Sequence, residues 1–199
     1  AADAQLPALC TELNSAMSLM LSVLPPGSLA LDVDQLPLMT LGAQADGSWR
    51  NRIGERATME VYAALKDVIK QAGHRYVDAG SSLTVVNASG REVVIALAPD
   101  PDVEIRERLG ASEFLKVAIE IKGWADYANI HNRAGEAEKS HQKAKARGAG
   151  AFWTIIASAR ADLNTLRSES PTTQRWFDVE QVRGGSGPDW GALVNNVRI

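Results

Sequence analysis

The sequence predicts an α/β fold of the α+β type, in which a mixed sheet is flanked by helices. Two observations predict it. Segments with helical periodicity are followed by short runs of β-branched residues separated by turn signals. A helix with a stripe of small side chains then joins the last of these runs to a further apolar run, as in a crossover between two strands of one sheet.

Composition limits the classes of protein that fit. The chain has 199 residues, 45% of them hydrophobic and 23% charged, which is typical of a globular domain with a sizeable core. Its formal net charge of -3 gives no overall attraction to nucleic acid. Cys10 is the sole cysteine, which excludes an intramolecular disulfide and a structural zinc site. The N-terminus has no basic segment followed by an apolar one, so a cytoplasmic location is expected, and the missing initiator methionine indicates processing or a fragment.

The first part of the chain, residues 1–50, is predicted to be a helical arm. Leu6 to Leu24 has helical periodicity and ends at Pro25-Pro26-Gly27. Its apolar stripe is typical of a packing surface, here against a second subunit, and its polar interruptions argue against a membrane span. Residues 28–50 are predicted to be irregular, because Pro37, Gly42 and Asp46-Gly47 disfavour a helix.

A second helix and a hairpin should follow. Arg56 to Ala72 is amphipathic and ends at Gly73. Glu60 lies off its apolar face, as expected of a solvated helix face. Leu83–Val86 and Glu92–Leu97 are rich in β-branched residues and predict two paired strands.

The segment from Asp102 to Lys122 predicts another hairpin, with two alternating runs joined by a loop at Gly110. If the hairpin is symmetric about Ala111, Asp102 lies opposite Glu120 and Asp100 lies opposite Lys122. Side chains opposite each other are about 4.5–5.5 Å apart at Cβ. Alternation also places Glu120 and Lys122 on the face opposite to Ile119 and Ile121, which point into the core.

Such a patch has a chemical use. Two carboxylates can share Mg²⁺, a cation that prefers oxygen ligands and keeps several waters, and the backbone carbonyl of Ile121 is a candidate further ligand. Lys122 could orient or deprotonate a water and offset phosphate charge, which suits hydrolysis of a phosphodiester. In the simpler alternative, Glu120 and Lys122 form an ordinary ion pair on the solvated face of an edge strand.

The segment 133–147 predicts a helix with five basic residues and two acidic ones. Its small-residue stripe includes His141, which we expect to be a partly buried histidine with satisfied hydrogen bonds. Glu138 borders the stripe and could reach a metal ion, whereas Glu136 is predicted to point elsewhere. Ala151–Ala157 should be a buried strand of the same sheet, and Trp176–Val182 a short strand.

The two parts of the acidic patch resemble a known superfamily. Pro101-Asp102 and Glu120-Ile121-Lys122 are similar to the two motif elements of the PD-(D/E)XK nucleases, and the match covers residues 54–157. Residues 129–147 further resemble type II restriction endonucleases, most nearly the XcyI-like group. The resemblance implies a restriction-endonuclease-like fold with an αβββαβ core. It also implies a Mg²⁺-dependent endonuclease that cuts double-stranded DNA as a homodimer. Asp100 also follows a proline, but it would face Lys122 instead of Glu120, so Asp102 is ranked first and Asp100 second for the metal ligand. Related nucleases often place a metal-assisting acid on the helix before the sheet. Glu60 could fill that role, but a solvated helix face explains it better, so it stays outside the predicted site.

The same resemblance predicts how the whole chain is divided. We expect a single endonuclease domain over residues 1–199, with the catalytic core at 54–157 and a DNA-contacting or accessory part at 158–199. His131, Asn132 and Arg133 should lie beside the scissile phosphate at a helix N-terminus and bind DNA. Arg133 could read guanine or contact a phosphate, and Asn132 could read a base edge or cap the helix.

Three functions remain open on the sequence alone. The first is a type II restriction endonuclease, for which the XcyI-like resemblance would imply the site CCCGGG. The second is a nuclease of the same fold that reads structure or damage, such as a junction resolvase. The third is a DNA-binding module without catalysis, in which the charged hairpin is only a surface.

Overall fold

The computed structural model of the chain describes residues 2–22, 30–123, 130–157 and 162–197. The elements in these ranges, in chain order, are α1 (Ala2–Ser22), α2 (Ala30–Gln71), β1 (Tyr76–Asp78), β2 (Ser82–Val86), β3 (Glu92–Leu97), β4 (Val103–Leu109), β5 (Ser112–Lys122), α3 (Ile130–Ala146), β6 (Ala151–Ile156), α4 (Leu163–Glu169), β7 (Arg175–Asp178), α5 (Val179–Gly184) and α6 (Pro188–Val197). Contacts divide the chain into two compact units, Ala1–Asn51 and Arg52–Ile199.

The first unit is helical. α1 agrees with the predicted helix, while the breakers Pro25-Pro26-Gly27 lie outside the described residues. The prediction of an irregular segment at 28–50 is wrong, because α2 runs without a break from Ala30 to Gln71. A glycine inside a helix costs only about 0.5–1 kcal/mol relative to alanine, and the leucines, methionines and alanines around Gly42 are good helix formers.

The second unit is built on a seven-stranded sheet whose strands lie side by side in chain order. β1 to β5 are antiparallel, whereas β6 is parallel to both β5 and β7. This mixed sheet with helices confirms the predicted fold class, including the return of the chain through α3 to a further strand of the same sheet. That strand, β6, lies beside β5. β1 was not predicted, because its three residues are all exposed and show no alternation.

The register of β4 and β5 is confirmed near the predicted site and wrong at the hairpin tip. Val103 pairs with Ile119, as expected for symmetry about Ala111, but Leu109 pairs with Ser112. A β-bulge between Ile105 and Arg106 accounts for the one-residue difference. The turn itself is tight, and Gly110 takes a φ of 61°, a conformation that favours glycine.

β5 is an interior strand, so the alternative of a solvated edge is wrong. It lies between β4 and β6, and its two faces are both covered. Ile119 and Ile121 are buried in the main core with Val61 and Leu65 of α2. On the opposite face Ala118 packs with Ala144 of α3. A polar side chain on this second face of β5 therefore points at α3 instead of bulk water.

The C-terminal part differs from the predicted strand at Trp176–Val182. The strand ends at Asp178, and α5 begins at Val179. The Asp178 carboxylate accepts hydrogen bonds from the backbone N–H groups of Glu180 and Gln181, which is a helix N-cap. In the described part of the chain, no helix combines the length and the apolar character that a membrane span requires.

Candidate active site

Asp102 lies immediately before β4 and is held against β5. Its Oδ2 accepts a hydrogen bond of 2.7 Å from the backbone N–H of Ile121. The side chain thus takes the place that a backbone carbonyl of β4 would occupy if the ladder continued. This contact fixes the Asp102 carboxylate beside the strand that carries Glu120 and Lys122.

Glu120 and Lys122 form a buried ion pair. The Lys122 Nζ lies 2.7 Å from Glu120 Oε1, and the Ser140 hydroxyl of α3 donates to Glu120 Oε2 at 2.6 Å. Only 6% of Glu120 is exposed, so the pair is shielded from water. A second carboxylate, that of Glu136 in α3, lies 3.7 Å from the same ammonium.

The pKa values of Asp102 and Lys122 are shifted by burial and by the charged groups around them. Burial, followed by the negative charge of Glu120, raises the pKa of Asp102 to about 6. Burial alone would lower the pKa of Lys122, but the charge and hydrogen bond of Glu120, with Asp102 and Glu136 behind them, raise it above its usual value. Lys122 is therefore an ammonium, which suits charge stabilisation better than removal of a proton from water.

The side chains of Asp102 and Glu120 could hold a Mg²⁺ ion with two carboxylates. No group of three or more His, Cys, Asp and Glu side chains is placed to hold a metal among the residues that the structure describes. Mg²⁺ is often held by one or two carboxylates and keeps several waters, a requirement that Asp102 and Glu120 meet. Burial is the main cause of the raised pKa of Asp102, and the negative charge of Glu120, which a cation would offset, adds to it.

Asp100 lies at the edge of this cluster and has different partners. Its carboxylate is 2.5 Å from Lys143 Nζ, so the expectation that it faces Lys122 is wrong. Strand parity cannot be extended to Asp100, because β4 begins only at Val103. Burial raises its pKa, but hydrogen bonds from Lys143 and Ser140 outweigh this and lower it.

The other acidic residues are distributed differently from the sequence predictions. Glu138 does not reach the cluster, since its carboxylate accepts hydrogen bonds from Ser170, Thr172 and Gln142. Glu136, predicted to point elsewhere, faces Lys122. Glu60 pairs with Arg56 and Arg183, which agrees with its exclusion from the site.

Two polar residues of α3 were misjudged or missed. His141 is completely buried, and only its Nε2 has a partner in the described structure, the Thr154 hydroxyl at 2.9 Å, so the prediction of a partly buried, satisfied histidine is wrong. Burial lowers its pKa to about 4, and the ring is neutral near pH 7. Ser140 was overlooked, although its position four residues after Glu136 places both on one helix face.

The predicted DNA-binding residues lie in the first turn of α3, while Asn129 lies outside the described residues. His131 is 3.0 Å from Glu169, and Arg133 is 3.3 Å from Glu136. Asn132 is not the cap, because α3 already begins at Ile130. His131 and Asn132 help to line an open groove of about 480 Å³ that continues to Glu136, the carboxylate beside Lys122.

Comparison with known proteins places this arrangement in a family. The family model described as XcyI restriction endonuclease matches residues 1–197. The chain belongs to the XcyI restriction endonuclease family. This confirms the resemblance to the XcyI-like group that residues 129–147 carry.

Two relatives illustrate the membership of the XcyI family. The type II restriction enzyme Cfr9I of Citrobacter freundii is 36% identical over 176 residues, which are 87% of this chain and 53% of that protein. The type II restriction enzyme XcyI of Xanthomonas campestris pv. cyanopsidis is 36% identical over 199 residues, 99% of this chain and 59% of that protein. The chain thus spans between half and two thirds of the length of each relative.

Proposed function

We propose that this chain carries the catalytic centre of a Mg²⁺-dependent type II restriction endonuclease, which hydrolyses phosphodiester bonds in double-stranded DNA at a short specific site. The observation that supports this most directly is the convergence of Asp102, Glu120 and Lys122 at one end of β5. In a family that includes two type II restriction enzymes, two carboxylates and an ammonium are the groups that this chemistry requires.

Each residue has a distinct role in the proposed reaction. Asp102 and Glu120, with the carbonyl of Ile121, would hold Mg²⁺, which supplies Lewis-acid polarisation of the phosphate and a more acidic water. Lys122 stabilises the negative charge that develops on the phosphate and orients the attacking water. The partial enclosure of Lys122, whose side chain is 17% exposed, strengthens its electrostatic effect on a bound phosphate.

The remaining assignments extend this proposal to the whole chain. Residues 54–157 form the catalytic core of a single endonuclease domain, residues 1–50 an arm, and residues 158–199 an accessory part that contacts DNA. Homodimer formation is supported by the exposed apolar side chains of α1, among them Leu9 and Leu13, which are 55% and 40% exposed. Two copies would cut the two strands of a palindromic site. The proposed location is the cytoplasm.

The test of this function is incubation of the protein with plasmid and mixed genomic DNA in Mg²⁺, with EDTA as the control. We expect discrete double-strand fragments that disappear when EDTA removes the cation. CCCGGG is the first sequence to compare with plasmids that lack it. Nicking of branched substrates alone would identify a structure-specific nuclease, and binding without cleavage of any substrate would contradict both enzymatic functions.

Arg133 is proposed to read a base from the first turn of α3. Its guanidinium can pair bidentately with O6 and N7 of guanine, and in the free protein it is engaged by Glu136 at 3.3 Å. We expect Arg133→Ala to lose about 1–3 kcal/mol of discrimination between cognate and non-cognate duplexes. The measurement is duplex affinity over a salt series in Ca²⁺, with Arg108→Ala in the distant hairpin as a matched control.

The alternative role gives a different pattern. If Arg133 contacts only a phosphate, its removal weakens binding to both duplexes alike and reduces the salt slope by about one. Equal losses on cognate and non-cognate DNA would therefore refute base reading at Arg133. His131 and Asn132 of the same turn are proposed as neighbouring DNA contacts, to be measured in the same series.

A further inference from the structure

One face of α3 follows the charged ends of β4 and β5. Its positions 136, 140, 143 and 147 recur at the spacing of a helix face. Going along the helix, these side chains contact Lys122 at 3.7 Å, Glu120 at 2.6 Å, Asp100 at 2.5 Å and Glu104 at 2.5 Å. Glu136, Lys143 and Arg147 are charged and about half or more exposed, whereas Ser140 is uncharged and only 5% exposed.

We infer that Ser140 is a positioning residue for the cation site, because its buried hydroxyl fixes the orientation of the Glu120 carboxylate. This inference rests on the proposed function and deepens it. A glutamate side chain has a freely rotating terminal torsion, so a carboxylate that must present one oxygen to a cation benefits from an anchor on the other oxygen. Ser140 anchors Oε2, and Oε1 is the oxygen that faces Lys122.

The partners of Lys122 explain why Ser140, and not the lysine, fixes the orientation of the Glu120 carboxylate. If a cation took Oε1 of Glu120, it would compete with the Lys122 ammonium, which has Glu136 within 3.7 Å as a second partner. The Ser140 hydroxyl, which also lies beside the Asp100 carboxylate, donates to Oε2 at 2.6 Å and takes no part in that competition. If Ser140 were removed, Asp100 would retain Lys143, so the effect would fall mainly on Glu120.

The test is a titration with Mn²⁺ alone, without DNA, in which electron paramagnetic resonance measures the free ion. We expect Ser140→Ala to weaken Mn²⁺ binding about 10- to 100-fold, the usual effect of losing a hydrogen bond to a metal-ligating group. Ser140→Thr, which keeps the hydroxyl, should restore most of the affinity. Ser168→Ala is the matched control, because that serine of α4 is exposed and donates to the Thr165 carbonyl within its own helix.

A purely structural role would give a different result. Ser140→Ala would then unfold at a lower temperature, while the folded protein bound Mn²⁺ with wild-type affinity, and this outcome would overturn the inference. Ser140→Cys has nearly the same shape with a weak donor, and it should also bind Mn²⁺ weakly if the alanine variant does not fold. Wild-type protein that binds Mn²⁺ through Glu120 and yet cuts no DNA would contradict the proposed function and leave the inference on Ser140 standing.

Discussion

Asp102→Ala and Glu120→Ala should each lower the rate of DNA cleavage by at least about 1,000-fold, which corresponds to about 4 kcal/mol of transition-state stabilisation. Each substitution removes one of the two carboxylates that the proposed cation site contains, and a bound cation supplies several kcal/mol in such reactions. DNA binding should be largely intact, because neither carboxylate is a phosphate contact. Any change in DNA affinity should be an increase, because each substitution removes a negative charge next to the phosphates.

The measurements are single-turnover cleavage in Mg²⁺ and duplex affinity in Ca²⁺. Asp102→Asn and Glu120→Gln keep the shape of each side chain, and the glutamine can still accept the Ser140 hydrogen bond, so these variants separate chemistry from folding. Glu113→Gln is the matched control in the same strand, since Glu113 is exposed and pairs with Arg108 at 3.2 Å. Near wild-type cleavage by Asp102→Ala together with an inactive Asp100→Ala would transfer the ligand role to Asp100.

Lys122→Ala should reduce cleavage roughly 100- to 1,000-fold, the usual effect of losing a group that stabilises transition-state charge. The loss should appear in the rate of the chemical step more than in DNA affinity. Lys122→Arg should not restore activity, because the planar guanidinium is larger and cannot take the compact position between Glu120 and Glu136.

Lys116→Ala controls for loss of a lysine from β5. Lys116 has a side chain that is 56% exposed and pairs with Glu107 at the far end of the hairpin, so its removal should leave the cleavage rate unchanged. Full activity of Lys122→Ala, measured at saturating DNA, would remove the lysine from the mechanism.

The parts of the site that the sequence predicted are those governed by strand alternation. In β5, Ile119 and Ile121 face one way and Glu120 and Lys122 the other, and period-two geometry alone gives that division. The pairing of Val103 with Ile119 also followed from symmetry, although the bulge was not foreseen. The turn is centred between Gly110 and Ala111, half a residue before the predicted centre at Ala111. The extra residue in the bulge cancels this difference for the pairs on the side of the site.

The parts that could not be predicted depend on how α3 sits on the sheet. Helical periodicity identified its small-residue stripe, but it could not show which strand residue each polar side chain would meet. Ser140 meets Glu120, Lys143 takes Asp100, and Glu138 docks on the segment around Thr172. Each of these contacts joins residues at least 20 positions apart, so local sequence patterns carry no information about them.

The bulge in β5 also makes the two halves of the hairpin independent in length. Lys116 is the additional residue there: Val117 pairs with Ile105 on the side of the site, and Leu115 pairs with Arg106 on the side of the tip. Residues added or removed at Gly110 and Ala111 should alter only the outer pairs of β4 and β5, because the inner part of β5 from Val117 to Lys122 is also paired with β6. The loop at the tip can therefore vary among homologues, or accept an inserted peptide tag, while the distance between Asp102 and Ile121 stays the same.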